Sequence, residues 1–283
     1  VQVGKPFEKL AAYSVRGASM QRDIQQRDKA ALRAGYSKGV RRFEKASIAS
    51  YALVMVWLAA RILPFATKNP WLMLTAFMLG YVGADLLAGI VHWAADTWGS
   101  PDWPLVGKAL IRPFREHHVD AKEITRHDFV ETNGNNCFIS IPVGIGAALL
   151  HQGSAAALFI ATFIFSLILW VLCTNQFHKW SHLDEPAKPI AWLQRMNLIL
   201  PRDHHQVHHT APYAKYYCIT VGWLNEPLYR LHFFQALERI IQATTGLVPR
   251  EDDIGKAAAL ALVAEPSQGE QHHGEVQAAR QPH

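Results

Sequence analysis

Long apolar runs limit this chain more than any other feature. Residues 46–65 (ASIASYALVMVWLAARILPF) and 71–93 (WLMLTAFMLGYVGADLLAGIVHW) each match the roughly 20 residues that a helix needs to cross a bilayer. Arg61, near the end of the first, is placed to snorkel to the interface. Residues 137–173 are apolar almost throughout, and His151-Gln152-Gly153-Ser154 divides them into two runs. The second, AAALFIATFIFSLILWVLC, is a full span. The first is short, which a tilted, extended or re-entrant segment accommodates. Read as a helical hairpin, the pair brings the expected total to about four transmembrane helices.

Composition agrees. Only 18% of residues are charged, against about a quarter in soluble proteins. The net charge is +5 and there are nine Trp, which suits a surface that meets anionic headgroups. The basic residues are not laid along one soluble face, so no nucleic-acid partner is expected. Three cysteines, Cys137, Cys173 and Cys218, stand far apart and form no CxxC pair. That argues against a disulfide framework, a zinc ribbon or a cysteine-held iron–sulfur cluster.

Three regions follow. Residues 1–45 are a basic cytoplasmic segment, 46–245 the membrane domain, and 246–283 a disordered tail rich in Ala, Glu and Gln. Two stretches, 190–200 and 217–241, mix aromatic and charged residues and read as interfacial helices. Lys and Arg bias sets orientation. The basic N-terminal segment is placed in the cytoplasm, and four spans return the chain to that side. The loop after the second span is also basic, with Lys108, Arg112, Arg115, Lys122 and Arg126.

Most of the fifteen histidines fall in clusters on this same side. They are His92 with Asp96, then His117-His118, then His178 with His182, then His204-His205-Gln-Val-His208-His209. Residues three and four apart share a helical face. His92 therefore stacks on Asp96 and His178 on His182, while His205, His208 and His209 share a face and His204 stacks on His208. The donor pool is His92, Asp96, His117, His118, His178, His182, His204, His205, His208 and His209. A tetrahedral zinc needs about four donors, whereas two five- or six-coordinate irons need about eight to ten. Sulfur ligands, the HExxH zinc motif and the ExxH pattern of soluble di-iron bundles are missing. The fold expected is an all-α integral membrane protein with interfacial helices and a histidine-rich cytoplasmic cap that holds metal. Asp85, an acid inside a span, is functional by default. It lies two turns from His92 on the same face and is expected to orient it by hydrogen bonding. His127 is expected to orient a ligand, and Asn175, one turn before His178, is a possible extra ligand or supporting residue.

The strings HWAADTWG (92–99), FREHH (114–118), HDFVETNGNN (127–136), TNQFHKWSH (174–182) and LPRDHHQVHH followed by YYCITVGWLNEPL resemble the Kua/CarF lipid-desaturase family, the plasmanylethanolamine desaturases. The likeness runs in chain order from about residue 45 to 240. It implies conversion of an alkyl ether phospholipid to its vinyl ether, with two iron ions, dioxygen as co-substrate and two electrons from a donor such as cytochrome b5 or a bacterial counterpart. The family's metal positions match at His92, Asp96, His117, His118, His178, His182, His205, His208 and His209, and also at His204. Asp96, His178 and His182 are the expected catalytic residues. A lipid phosphate at the interface has Arg112, Arg115, Lys179, Arg202 and Lys215 within reach, with Arg115 and Arg202 the chosen pair. The rival readings are an acyl-chain desaturase or hydroxylase with the same ligands, a metal transporter or sensor, and a zinc-dependent membrane hydrolase.

Overall fold

The computed structural model describes residues 37–100, 103, 104, 107, 111, 114, 117, 120–210 and 213–250. All regular secondary structure among them is helical. The basic segment before Ser37 and the tail after Arg250 lie outside the described residues, as do Arg112, Arg115 and His118.

Four long helices carry the fold. Helix α1 (Lys38–Ile62) starts at Ser37, whose hydroxyl accepts from the Val40 amide at 3.2 Å. A short helical turn, Leu63–Phe65, follows it. Helix α2 is Pro70–Trp98, with proline in its first turn, where no amide donor is needed. Helix α3 (Phe129–Leu149) is capped by Asp128, whose carboxylate accepts from Val130 and Glu131. Helix α4 (Ala155–Ser181) is capped by Ser154. Caps of this kind satisfy amides that the helix itself leaves without acceptors.

Small residues set how closely these helices pack. A Cβ on Gly80 would lie 2.5 Å from the Ser166 Cβ, so α2 and α4 touch nearly backbone to backbone. Gly134 plays the same part between α3 and Glu44 of α1. A buried core of Tyr51, Leu58, Cys137, Leu158, Ala161 and Ile168 joins α1, α3 and α4. The Tyr51 hydroxyl donates to the Ile168 carbonyl at 3.0 Å. Outward, Leu53, Val56, Trp71 and Leu149 are largely exposed, a pattern that makes sense against lipid.

Three segments are long and apolar enough to cross a membrane: Lys38–Phe65, Pro70–Trp98 and Ala155–Ser181. Helix α3 is not among them, because its first half, Thr132 to Asn136, is polar. The expected short apolar run is only the second half of that helix. The spans also run further than their apolar stretches, by eight residues at the start of α1 and by five at the end of α2.

The interfacial stretches are shorter and more broken than expected. Helix α5 is Lys188–Arg195, α6 is Arg202–Gln206, α7 is Asn225–Arg230 and α8 is Phe233–Thr245. Residues 217–224 form no helix. Asp85 takes the amides of Thr220, Val221, Gly222 and Leu224, which a helix would have needed. Gly222 has φ +79° and sits against His204, where a Cβ would lie 2.8 Å from the ring. The folded body continues to Arg250, which is buried, donates its amide to the Thr97 carbonyl at 2.8 Å and pairs with Glu238.

Candidate metal centre

The ends of the spans bring the histidines together. His92 and Asp96 occupy the last turns of α2, and His178 the last turn of α4 with His182 just after it. His205 lies in α6, with His208 and His209 following. Two adjacent donor groups result. One is His117, His178, His182, His205 and His209, and the other is His92, Asp96 and His208. Within each group the potential donor atoms all lie within 4.8 Å of one another.

The geometry suits metal coordination. His205 Nε2 is 2.8 Å from His178 Nε2 and 3.0 Å from His209 Nε2. Neighbouring ligands on one ion with bonds of about 2.1 Å stand about 3 Å apart. In the second group, Asp96 Oδ2 is 3.2 Å from His92 Nε2 and 3.4 Å from His208 Nε2. His182 Nε2 and His205 Nδ1 are buried without a hydrogen-bond partner. A buried nitrogen left in that state is costly, and a bound cation removes the cost. The donor set therefore fits a metal centre.

Burial keeps three of these imidazoles neutral, as metal binding requires. Burial, with His178, His182, His209 and His208 close by, pushes the His205 pKa well below its ordinary value. Burial, then His209 and Arg202, lowers His182 to about 3. Burial alone lowers His209 to about 4.

Backbone carbonyls fix the second group's rings. His92 Nδ1 donates to the Tyr217 carbonyl at 3.1 Å, and His208 Nδ1 to the Lys215 carbonyl at 3.0 Å. With the proton on Nδ1, each ring turns its Nε2 lone pair toward Asp96. Such partners set the tautomer and basicity of a ligand.

The expected supporting residues fall out differently. Asp85 does not bond His92. Its buried carboxylate accepts from the four amides of 220–224 and so anchors the segment whose neighbouring carbonyls hold His92 and His208. The sharing of a helix face placed Asp85 near His92, but the backbone amides compete more strongly for a buried anion. His204 lies outside both donor groups. Its Nε2 accepts from Asn225 Nδ2 at 3.0 Å, and its ring stacks on Tyr216. The short α6 helix places His204 on a different side from His205. The Asn175 side-chain amide donates to the Thr132 carbonyl and ties α4 to α3. His127 stands 3.7 Å from Glu131, and its carbonyl accepts from Lys179 Nζ. Arg202 is held by the Asp184 carboxylate, which Lys122 shares.

The residues that sequence reasoning missed act mainly through backbone. They are Tyr217 and Lys215, through their carbonyls, and Asn225, whose side chain clamps both polar atoms of the Cys218 backbone. Behind them a buried polar set joins Arg250, Glu238, the Tyr217 hydroxyl and the Trp93 indole. No sequence motif signals a carbonyl. The only available hint was the string YYCITVGWLNEPL itself, long and polar-poor beside the histidines.

Comparison with known proteins gives a consistent answer. The Lipid desaturase domain matches residues 81–252. Plasmanylethanolamine desaturase of Myxococcus xanthus is 54% identical over 244 residues, which is 86% of this chain and 87% of that protein. Plasmanylethanolamine desaturase 1 of Mus musculus is 44% identical over 231 residues, covering 79% of this chain and 85% of the relative. The chloroplastic fatty acid desaturase 4 of Arabidopsis thaliana is 34% identical over 173 residues, 60% of this chain and 52% of its own length. No solved structure matches. The domain match covers every residue of both donor groups, and the chain belongs to the lipid desaturase family.

Proposed function

We propose that this chain is a plasmanylethanolamine desaturase. The reaction removes two hydrogens from adjacent carbons of an O-alkyl chain, next to the ether oxygen, and leaves a vinyl ether. One dioxygen becomes two waters. The substrate supplies two electrons and two protons, an external donor supplies two electrons, and solvent supplies two protons. The observation that carries this reading is the pair of adjacent, buried donor groups at the ends of apolar helices. Two relatives, which cover 86% and 79% of the chain, bear the name of this activity.

Eight described residues would hold two irons: His117, His178, His182, His205 and His209 at one position, and His92, Asp96 and His208 at the other. The chemistry that such a pair supplies when bound is activation of dioxygen against an unactivated alkyl C–H bond. The protein's own work is to hold neutral imidazoles, to fix the His92 and His208 tautomers and to keep water out. Asp96, within reach of both His92 and His208, and the α4 pair His178 and His182 are the residues on which activity should depend most. His118 keeps its place as an expected ligand.

Helix α3, with 21 residues, is about 30 Å long and supports a fourth span beside the three apolar ones. With the termini and the donor groups on the cytoplasmic side, the site faces a donor such as cytochrome b5 or its bacterial counterpart.

The test is expression of the wild type and His178→Ala in a host that lacks vinyl ether lipids but is fed an alkyl ether phospholipid and supplied with a donor system. Acid-labile vinyl ethers should appear by mass spectrometry with the wild type alone. Double bonds or hydroxyls in acyl chains, with no vinyl ether, would replace this reading with an acyl desaturase or hydroxylase.

A further inference from the structure

The reacting carbons of an ether phospholipid are only a few covalent bonds from its phosphate. If the proposed reaction is right, the headgroup must bind close to the metal centre. Among the described residues, the cations named for that task from sequence differ sharply in their engagement. Lys179 donates to the His127 carbonyl, and Arg202 is paired with Asp184. The Lys215 ammonium has neither a hydrogen bond nor an ion pair among the described residues. Its ammonium rests over the Tyr229 ring, 5.5 Å from the centroid. The carbonyl of the same residue holds His208 Nδ1 at 3.0 Å, so the backbone that carries this cation is tied to the donor groups.

Lys215 lines a pocket with Tyr216, Asn225, Tyr229, Phe234 and Gln235. The enclosed part of the pocket is only about the size of a water molecule, far below the roughly 300–1,000 Å³ of sites that enclose whole small ligands. It suits the ammonium end of a headgroup whose phosphate lies at the mouth and whose chains run elsewhere. Gln235 Oε1 is buried there without a hydrogen-bond partner. An unpaired buried acceptor is costly and calls for a ligand that donates N–H. Glu226, on the same helix as Tyr229, is already held by the Tyr216 hydroxyl and by Arg230. The backbone is strained on both sides of the pocket, with φ +63° at Tyr216 and +51° at His232, and such strain gathers where binding demands it. Trp223 and Leu231, the latter 75% exposed, flank the same helices and suit the edge of a bilayer.

We propose that this pocket binds the phosphoethanolamine headgroup of the ether lipid, with the Lys215 ammonium on the phosphate and Gln235 Oε1 accepting from the primary ammonium. This assignment rests on the proposed reaction for the identity of the lipid. The two contacts make separable demands. Lys215 recognises any phosphodiester. Gln235 recognises a headgroup nitrogen that carries hydrogen, which ethanolamine has and choline lacks.

The experiment is calorimetric titration of the full-length, iron-loaded protein in detergent with four probes. These are a short-chain alkyl ether phosphoethanolamine lipid, its phosphocholine counterpart, the matching alkylacylglycerol and free phosphoethanolamine. Lys215→Met should weaken both phospholipids about tenfold or more, the scale of one hydrogen bond to a charged group, and leave the alkylacylglycerol unmoved. Lys215→Arg should restore much of the loss. Gln235→Leu should erase the preference for ethanolamine over choline. Free phosphoethanolamine should bind at least about tenfold more weakly than the lipid.

Three results would overturn the assignment. They are equal weakening of all the lipids by Lys215→Met, an unchanged ethanolamine preference in Gln235→Leu, or free phosphoethanolamine binding as tightly as the lipid. Vinyl ether formation is measured in parallel. Its absence from every lipid, with the binding pattern as expected, would sink the desaturase reading and leave the pocket standing.

Discussion

Replacing Asp85 by alanine tests how the second donor group is held. The wild-type carboxylate accepts from Thr220 at 3.1 Å, Val221 at 2.9 Å, Gly222 at 2.9 Å and Leu224 at 3.3 Å. Alanine orphans all four amides, three of them buried. A buried donor without an acceptor costs about 1–3 kcal/mol. Counting only the three shorter bonds, each at the low end, the loss is about 3 kcal/mol or more. Against a typical total of about 5–15 kcal/mol that is severe. The damage should concentrate on His92 and His208, because the carbonyls that hold them, of Tyr217 and Lys215, lie just before the segment Asp85 anchors. Asp85→Asn keeps one oxygen for the three amides and should cost much less. The assay is iron per protein together with the thermal midpoint in detergent. Asp85→Ala should lower the midpoint and lose iron from the His92–Asp96–His208 group first, while Asp85→Asn lies between it and wild type. An alanine variant with wild-type iron and midpoint, or an asparagine variant as damaged as the alanine one, would refute the anchoring argument.

Other outcomes follow from the same geometry. Gly89→Ala would bring a Cβ to 2.5 Å from Cys218 Sγ, so thermal denaturation should show about 1–3 kcal/mol of overpacking together with partial loss of iron. His205→Ala removes a fully buried member of the five-histidine group, and vinyl ether formation should fall below detection as metal analysis shows depleted iron. A chelator should lower the thermal midpoint, and added iron should restore it in a concentration-dependent way. Arg41 holds the Asp128 carboxyl well below the usual carboxylate range through two guanidinium contacts. That contribution is present at neutral pH and is lost as pH falls below about 4. The pair is exposed, so its effect should be small and salt-sensitive. Asp128→Asn keeps the helix cap and should flatten only that part of the stability curve against pH.

The long apolar runs and the histidine spacings were legible because both are properties of single helices. His92 over Asp96 and His178 over His182 depend on one helical period, and the structure adds only their meeting. What the sequence hid depends on partners distant along the chain. Asp85 reads as a helix-face neighbour of His92, yet its hydrogen bonds are to amides more than 130 residues away. His204 looks equivalent to His205 in a row of letters, and only the brief α6 helix separates their directions. The pairing of His92 with the Tyr217 carbonyl has no side-chain signature at all. The polar half of α3 shows the reverse difficulty. A helix that the sequence divides by polarity is continuous in the fold because Asp128 caps it and Asn136 bonds to the Val171 carbonyl of α4.

One further consequence concerns the order of synthesis. His205 and His209 belong to one donor group and His208 to the other, so a single stretch of five residues completes both. A nascent chain that has emerged only as far as His182 displays His92, Asp96, His117, His178 and His182 but lacks the last members of both groups. Its early membrane segments can insert without committing to a metal. Stable metal capture at either group should therefore wait until most of the domain exists. Ribosome-arrested chains ending before residue 200 should retain no iron, whereas chains extended past residue 250 should retain it.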